Sequence, residues 1–318
     1  MVWAAEGDPR RLPELAQATP ASRPEPVIVA TAAGIPALSG ASALLFEPPP
    51  DSAIPDDDFG KVVRLGQAIF NGSSPLAAPF VGNSLRCASC HLDAGRLQHS
   101  APLWSAYVSY PVYRSKNQRV NTLSERIQGC FTYSMNGKAP PLGSQVLVAL
   151  ESYAFFLAQG APVGARLVGG GYPTPPKPGL APDFDRGATV FVQKCSLCHG
   201  ADGQGQSSRG DVVFPPLWGP RSFNWGAGMG SIKNAAGFIK ANMPLSQGNS
   251  LSDQQAWDVA MFMNSHERPQ DPRFKGSIAE TRKEHHDSPF DLYGRTINGQ
   301  LLGQGSAPQV KATSAQTP

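Results

Sequence analysis

The pentapeptide Cys87-Ala88-Ser89-Cys90-His91 recurs as Cys195-Ser196-Leu197-Cys198-His199, and no other feature of the chain restricts its fold so tightly. Two thiols three residues apart can each form a thioether to a porphyrin vinyl group while the following His reaches the iron from one side. Structural zinc sites and thioredoxin-type redox pairs also use Cys-x-x-Cys, but neither asks for a His immediately afterwards, and neither asks for it twice. Cys87, Cys90, His91, Cys195, Cys198 and His199 therefore read as the attachment residues of two c-type haems.

The motifs start 108 residues apart, a spacing that suits one domain each and that a duplicated module would leave. At 318 residues the chain is long enough for two domains of ordinary size. Its 33 Gly and 31 Pro are many for a packed domain, yet fewer than a low-complexity chain carries. The expected fold is mainly α: two cytochrome c-type haem domains joined by a Gly/Pro-rich linker, with short helices, long loops and a porphyrin supplying part of the apolar core. A net charge of +3 leaves no nucleic-acid footprint.

Residues 1–50 read as a poorly ordered N-terminal extension ending in Pro48-Pro49-Pro50. Glu6 and Asp8 stand where a signal peptide would carry its positive and apolar regions, and Gly34, Pro36 and Gly40 interrupt the apolar stretch Val27 to Phe46, so no clear membrane span emerges. The first haem domain is expected over 51–165. Asp56-Asp57-Asp58 start a helix with Val62, Val63, Leu65, Ile69 and Phe70 on one face, and a closing helix runs from Gln145 to Gln159, stopped by Gly160. A linker follows over 166–180, flexible at its glycines and stiffened by its prolines. The second domain, 181–272, repeats the pattern, with a helix over Phe184 to Val192 and another opened by Leu251-Ser252-Asp253. The polar tail 273–318 is expected to wrap or fray, with the composition of disorder from about Gly303.

Each iron needs a ligand opposite its His, and high-potential cytochromes commonly use Met. In the second domain Met243 stands 44 residues after His199, in a segment Ala241 to Leu245 that reads as a loop. Met261 and Met263 fall within a helix and are more simply core. In the first domain Met135 also lies 44 residues after its His, but Cys130, the one cysteine outside the motifs, stands five residues earlier. A lone Cys is ordinarily a small buried hydrophobe, whereas an unpaired thiol in an oxidising compartment must be shielded or used. The residues alone leave Cys130, Met135 and an open position as alternatives.

The stretch from Tyr113-Arg114-Ser115-Lys116-Asn117 through Gly129-Cys130-Phe131-Thr132-Tyr133-Ser134-Met135-Asn136-Gly137 closely resembles the thiosulfate dehydrogenase family of dihaem cytochromes c. Val81-Gly82-Asn83, His91 to Arg96, Ala241 to Leu245 and His266 to Pro272 extend the likeness over roughly Phe46 to Arg273. The resemblance implies His91 and Cys130 as ligands of a catalytic first haem, with Met135 packing only, and His199 and Met243 as ligands of a second haem that passes electrons outward. Some relatives carry a Lys before that Met. Asn242 here implies plain His/Met ligation.

The family reaction joins two thiosulfate anions into tetrathionate and releases two electrons, with some members running mainly in reverse, so fixed cations must hold two dianions together. The resemblance points to Arg114, Lys116, Arg119 and Arg126 as the pool, a run that is otherwise a solvated face. Ser134 would be a hydroxyl donor to the same anion, and Arg96 a partner for a haem propionate. The implied location is the periplasm, and the implied electron acceptor a soluble cytochrome c or high-potential iron–sulfur protein. Two other functions fit the motifs: a non-catalytic dihaem electron carrier, and a dihaem peroxidase needing one haem with an open position. The Gly129-Cys130-Phe131 segment speaks against the peroxidase.

Overall fold

The computed structural model describes residues 45–306 except 115, 164–166 and 210. Expectations for residues 1–44 and 307–318 lie outside the described residues.

Asp57 caps the first long helix, Asp58–Phe70, its carboxylate accepting from Gly60 N at 2.8 Å. The buried face of this helix, with Val63, Ile69 and Phe70, packs across helix Gln145–Leu157. The two backbones touch at Gly66, where an added Cβ would lie 2.0 Å from the Ala149 carbonyl oxygen. Only glycine permits that crossing. The second domain repeats the device: helix Phe184–Lys194, capped by Asp183, crosses helix Asp253–Asn264, capped by Ser252. A Cβ on Gly187 would meet the Asp258 carbonyl oxygen at 2.1 Å. The duplication legible in the motifs thus extends to the helix crossings. Trp104, Tyr153 and Phe156 centre one apolar core, and Phe191, Trp225 and Trp257 the other. Strand is confined, among the described residues, to three two-stranded antiparallel hairpins.

Within the two haem domains, three helices of seven residues or more went unanticipated: Leu103–Ser109, Leu123–Gly129 and Ile232–Asn242. The second has a reciprocal cap, with Thr122 Oγ1 accepting from Glu125 N and the Glu125 carboxylate from Thr122 N. The third takes in Ala241 and Asn242, which the sequence reading placed in a loop, and leaves Met243 as the residue that ends it.

The linker is not a free tether. His99 N and Ala101 N donate to the carbonyls of Gly169 and Gly171 at 2.7 and 3.0 Å, and Trp257 Nε1 donates to Pro176 O at 2.8 Å. Backbone pairing therefore pins the glycines that composition alone made flexible. Of the two expectations for the tail, its described residues wrap and do not fray. They form helix Ile278–His285 and a hairpin of Thr296–Ile297 with Gln300–Leu301, and they bury Leu292, Tyr293 and Leu302 in the second core. Packed chain also begins before the proline run ends, because Phe46 lies against Trp104 with ring centroids 5.3 Å apart.

Both haem domains pack within one unit. Phe223 and Ala227 insert into the first core, and Asn83 Nδ2 donates to Ser134 O at 2.8 Å and to Ser222 O at 3.0 Å. Asn242 is buried and donates to His99 O at 3.1 Å, another tie between the halves.

Candidate functional site

Each motif His has one ring nitrogen committed. His91 Nδ1 lies 2.7 Å from Ala101 O, and His199 Nδ1 lies 3.0 Å from Pro215 O. A backbone acceptor at Nδ1 fixes the tautomer that presents the Nε2 lone pair to a metal. Burial, and to a lesser extent the nearby Arg126, push His91 down to about 4, which keeps the ring neutral as a ligand must be. A cavity of about 460 Å³ is walled by Cys195, Cys198, His199 and Met243 on the second domain and by Cys90 and Leu92 on the first. Of five buried side-chain polar atoms without a protein partner among the described residues, three are Arg221 Nε, Ser222 Oγ and Arg268 Nε. Arg268 packs on Phe223, which lines the same cavity, with its guanidinium carbon 4.2 Å from the ring centroid. An apolar hollow bearing the motif thiols and a prepared imidazole, with the unpaired Arg268 Nε behind Phe223, fits a covalently held porphyrin with its propionates.

Cys130 sits where helix Leu123–Gly129 runs without a break into the π turn Cys130–Ser134. Gly129 is a usual helix stop, but here it is helical at φ −62°, ψ −30°. The continuous backbone places Arg126 one turn before the thiol, and its Nη1 reaches Cys130 Sγ at 2.8 Å. Cys130 in turn raises the pKa of Arg126, outweighing burial. Cys130 stands beside the first motif, near enough to Cys87 and Cys90 for its charge to act on both.

The basic pool is distributed by a hairpin. Val112–Arg114 pairs with Arg119–Asn121 so that Arg114 lies opposite Arg119. Arg119 turns away to Glu125 at 3.1 Å and is 61% exposed. Arg114 stays half-buried, its pKa lowered by burial and by Arg126. Lys116, in the connecting turn, folds its ammonium onto Gly226 O at 2.5 Å, while its Nζ stands 5.5 Å from the centroid of the Tyr133 ring. Burial of that ammonium, and then the nearby Arg273, bring its pKa down to about 8. Among the described residues no carboxylate lies at ion-pair distance from Arg114, Lys116 or Arg126. The surroundings of the thiol are therefore electropositive and suited to an anion.

Ser134 closes the π turn, with its carbonyl held by Asn83. Met135 is buried in the first core. Arg96 bonds Pro49 O and pairs with Asp51, contacts that tie the start of the packed chain to the first motif. Two residues enter the site that the sequence did not nominate. Arg273 stacks its guanidinium 5.1 Å from the Tyr133 centroid, and Asn224 donates to Thr132 O at 2.9 Å, bracing the π turn from the other domain. The contact between Arg126 and Cys130 did carry a signal, four-residue spacing on one helix face. Arg273 carried none.

Comparison with known proteins gives two family models on this chain: "SoxA/TsdA, cytochrome c domain" over residues 78–163, and "Cytochrome C oxidase, cbb3-type, subunit III" over residues 182–263. The chain is 61% identical over 264 residues to a thiosulfate dehydrogenase of Thiomonas intermedia, covering 83% of this chain and 84% of the relative. It is 50% identical over 268 residues to one from Stutzerimonas stutzeri, covering 84% and 87%. A solved structure of thiosulfate dehydrogenase (TsdBA) from Marichromatium purpuratum, in its "as isolated" form, superposes with a TM-score of 0.81 at 52% identity. That match covers 84% of this chain and spans 59% of the other.

Proposed function

This chain belongs to the thiosulfate dehydrogenase family of dihaem cytochromes c, and on that premise we propose that it joins two thiosulfate anions into tetrathionate at Cys130. Two covalently bound c-type haems, on Cys87, Cys90, His91 and on Cys195, Cys198, His199, supply the electron-accepting chemistry, one electron each. His91 and Cys130 are the proposed ligands of the first, and His199 and Met243 those of the second.

The observation that carries this reading is the Arg126 guanidinium 2.8 Å from Cys130 Sγ, beside the first motif and with Arg114 close by. A guanidinium holds a sulfur anion as a charge-assisted partner and tempers the repulsion met by an incoming dianion. The Cys130 thiolate bonds to the sulfane sulfur of one thiosulfate, giving Cys–S–S–SO₃⁻ with release of two electrons. A second thiosulfate then attacks that sulfane sulfur. The bond to Cys130 breaks, tetrathionate leaves, and the thiolate is regenerated, so atoms and charge balance. Arg126 and Arg114 hold the sulfonate of the first anion, with Ser134 as hydroxyl donor. Arg119, committed to Glu125, contributes to the field more than to contact.

Cys90 and Leu92 share a cavity wall with Cys195, Cys198 and Met243, which supports a short route for electrons from the first domain into the second. No helix of the described residues is long and apolar enough to cross a membrane. The proposed setting is the periplasm, and the proposed acceptor is a soluble cytochrome c or high-potential iron–sulfur protein docking through a small interface.

The test is Cys130→Ala in the holoprotein, assayed anaerobically for tetrathionate with an artificial acceptor. Tetrathionate formation is expected to fall by orders of magnitude while both haems remain attached. A variant that keeps near wild-type turnover would return the protein to the electron-carrier reading.

A further inference from the structure

Two dianions need two places to be held, and a second pair of cations stands over the wall of the thiol site. Tyr133 belongs to the π turn Cys130–Ser134 that carries the thiol. Lys116 Nζ lies 5.5 Å from the centroid of its ring, and the Arg273 guanidinium carbon lies 5.1 Å from the same centroid. Asn224 N donates to Tyr133 O at 3.1 Å, and an added Cβ on Gly226 would come within 2.4 Å of the Tyr133 ring. The ring is therefore fixed, and both cations are fixed against it.

Arg273 is held from behind by a buried chain of charges. Its Nε and Nη2 donate to the two Asp271 oxygens at 2.9 and 2.6 Å, leaving Nη1 uncommitted to that carboxylate. The Asp271 side chain is fully buried and also meets His286 Nε2 at 2.9 Å, while His286 Nδ1 meets Asp291 at 2.7 Å. His286 stacks on Tyr293 with centroids 4.3 Å apart. Burial alone would lower the His286 pKa, but a carboxylate on each ring nitrogen raises it instead. Such a network is a weak source of stability, because desolvation offsets its attraction. What it does provide is orientation: a bidentate guanidinium has one geometry, and this one faces Tyr133 beside Lys116.

We infer that Lys116 and Arg273 form a second oxyanion subsite over Tyr133, taking the sulfonate of the second thiosulfate, with Asp271 and His286 as positioning residues for Arg273. Lys116 has no carboxylate at ion-pair distance among the described residues, and Arg273 keeps Nη1 free of Asp271 to donate to an anion. The inference rests on the proposed reaction at Cys130, which accounts for the first thiosulfate, and it gives the C-terminal tail a role at a site that lies far from it in sequence.

The test uses holoprotein variants Arg273→Gln, Arg273→Lys and His286→Gln, with haem spectra and melting curves as folding controls. Arg273→Gln is expected to raise the thiosulfate KM about tenfold or more, with kcat changed much less, as expected for loss of one charge-assisted contact. Arg273→Lys, which keeps the charge without the fork, recovers part of the loss, and His286→Gln shifts KM in the same direction as Arg273→Gln. An unchanged KM in Arg273→Gln, or equal kinetic losses in Arg273→Lys and Arg273→Gln that track lowered melting temperatures, overturns the subsite. Equilibrium binding of thiosulfate to oxidised Cys130→Ala and to Cys130→Ala/Arg273→Gln separates the two readings. If the wild type makes no tetrathionate, the reaction at Cys130 falls. The subsite still stands if the double variant binds about tenfold more weakly, and falls if the two bind alike.

Discussion

Replacing Arg126 with Gln removes the one charged group, among the described residues, within bonding distance of Cys130 Sγ, 2.8 Å away. The change keeps a side chain of similar reach, so packing in the helix ahead of the π turn is little disturbed. A hydrogen bond to a charged partner contributes about 1.5–3 kcal/mol. At about 1.4 kcal/mol per factor of ten, its loss lowers kcat/KM for thiosulfate roughly 10–150-fold. Arg126→Lys keeps the charge on a compact ammonium that cannot offer the planar fork, and it is expected to fall between the two. The measurement is steady-state tetrathionate formation against thiosulfate concentration with an artificial acceptor, alongside the absorption spectrum of each haem. An Arg126→Gln enzyme within about threefold of wild type would show that the contact is incidental to the chemistry.

The Lys116 ammonium, brought down from 10.5 to about 8 by burial and Arg273, loses its proton within an accessible range. Because the dianion favours the charged form, kcat/KM for thiosulfate should be flat below about pH 8 and decline above it, while Lys116→Arg stays flat to about pH 9.5. A pH profile that is the same in both proteins contradicts the assignment. Gly66→Ala and Gly187→Ala each drive a Cβ into a carbonyl oxygen at the paired helix crossings, and each should cost about 1–3 kcal/mol or more. Thermal melting would register this as a drop of roughly 2–4 °C per kcal/mol; no drop would mean the crossings relax freely. Met243→Leu keeps the volume of a residue on the cavity wall and removes its thioether. The reduced second haem should then bind carbon monoxide where the wild type does not, and identical behaviour of the two proteins would remove Met243 from the ligand set.

Much of this protein is written locally. Cys-x-x-Cys-His prescribes its chemistry within five residues, so the attachment of two haems needs no tertiary argument. Helix starts at Asp57, Asp183 and Ser252 follow from side chains that satisfy the adjacent backbone, and the structure places each of them as a cap. The bond between Arg126 and Cys130 was legible only in part. Its four-residue spacing counts only if the helix survives Gly129, a residue that usually ends one, and the continuation into a π turn is what makes it survive.

Other features depend on groups that meet through space and leave no periodic trace. The hairpin register sends Arg119 to Glu125, and Lys116 folds onto Gly226 of the opposing domain. The linker glycines are held by the His99 and Ala101 amides, and the tail is held by the burial of Leu292, Tyr293 and Leu302. Arg273 reaches Tyr133 across 140 residues of chain. The sequence by itself determined which cofactors are bound and where the paired crossing helices lie, since both are short-range matters of valence and backbone hydrogen bonding. Which cations surround the thiol was decided by the tertiary structure alone, because a charge acts by its distance in space and not by its position along the chain.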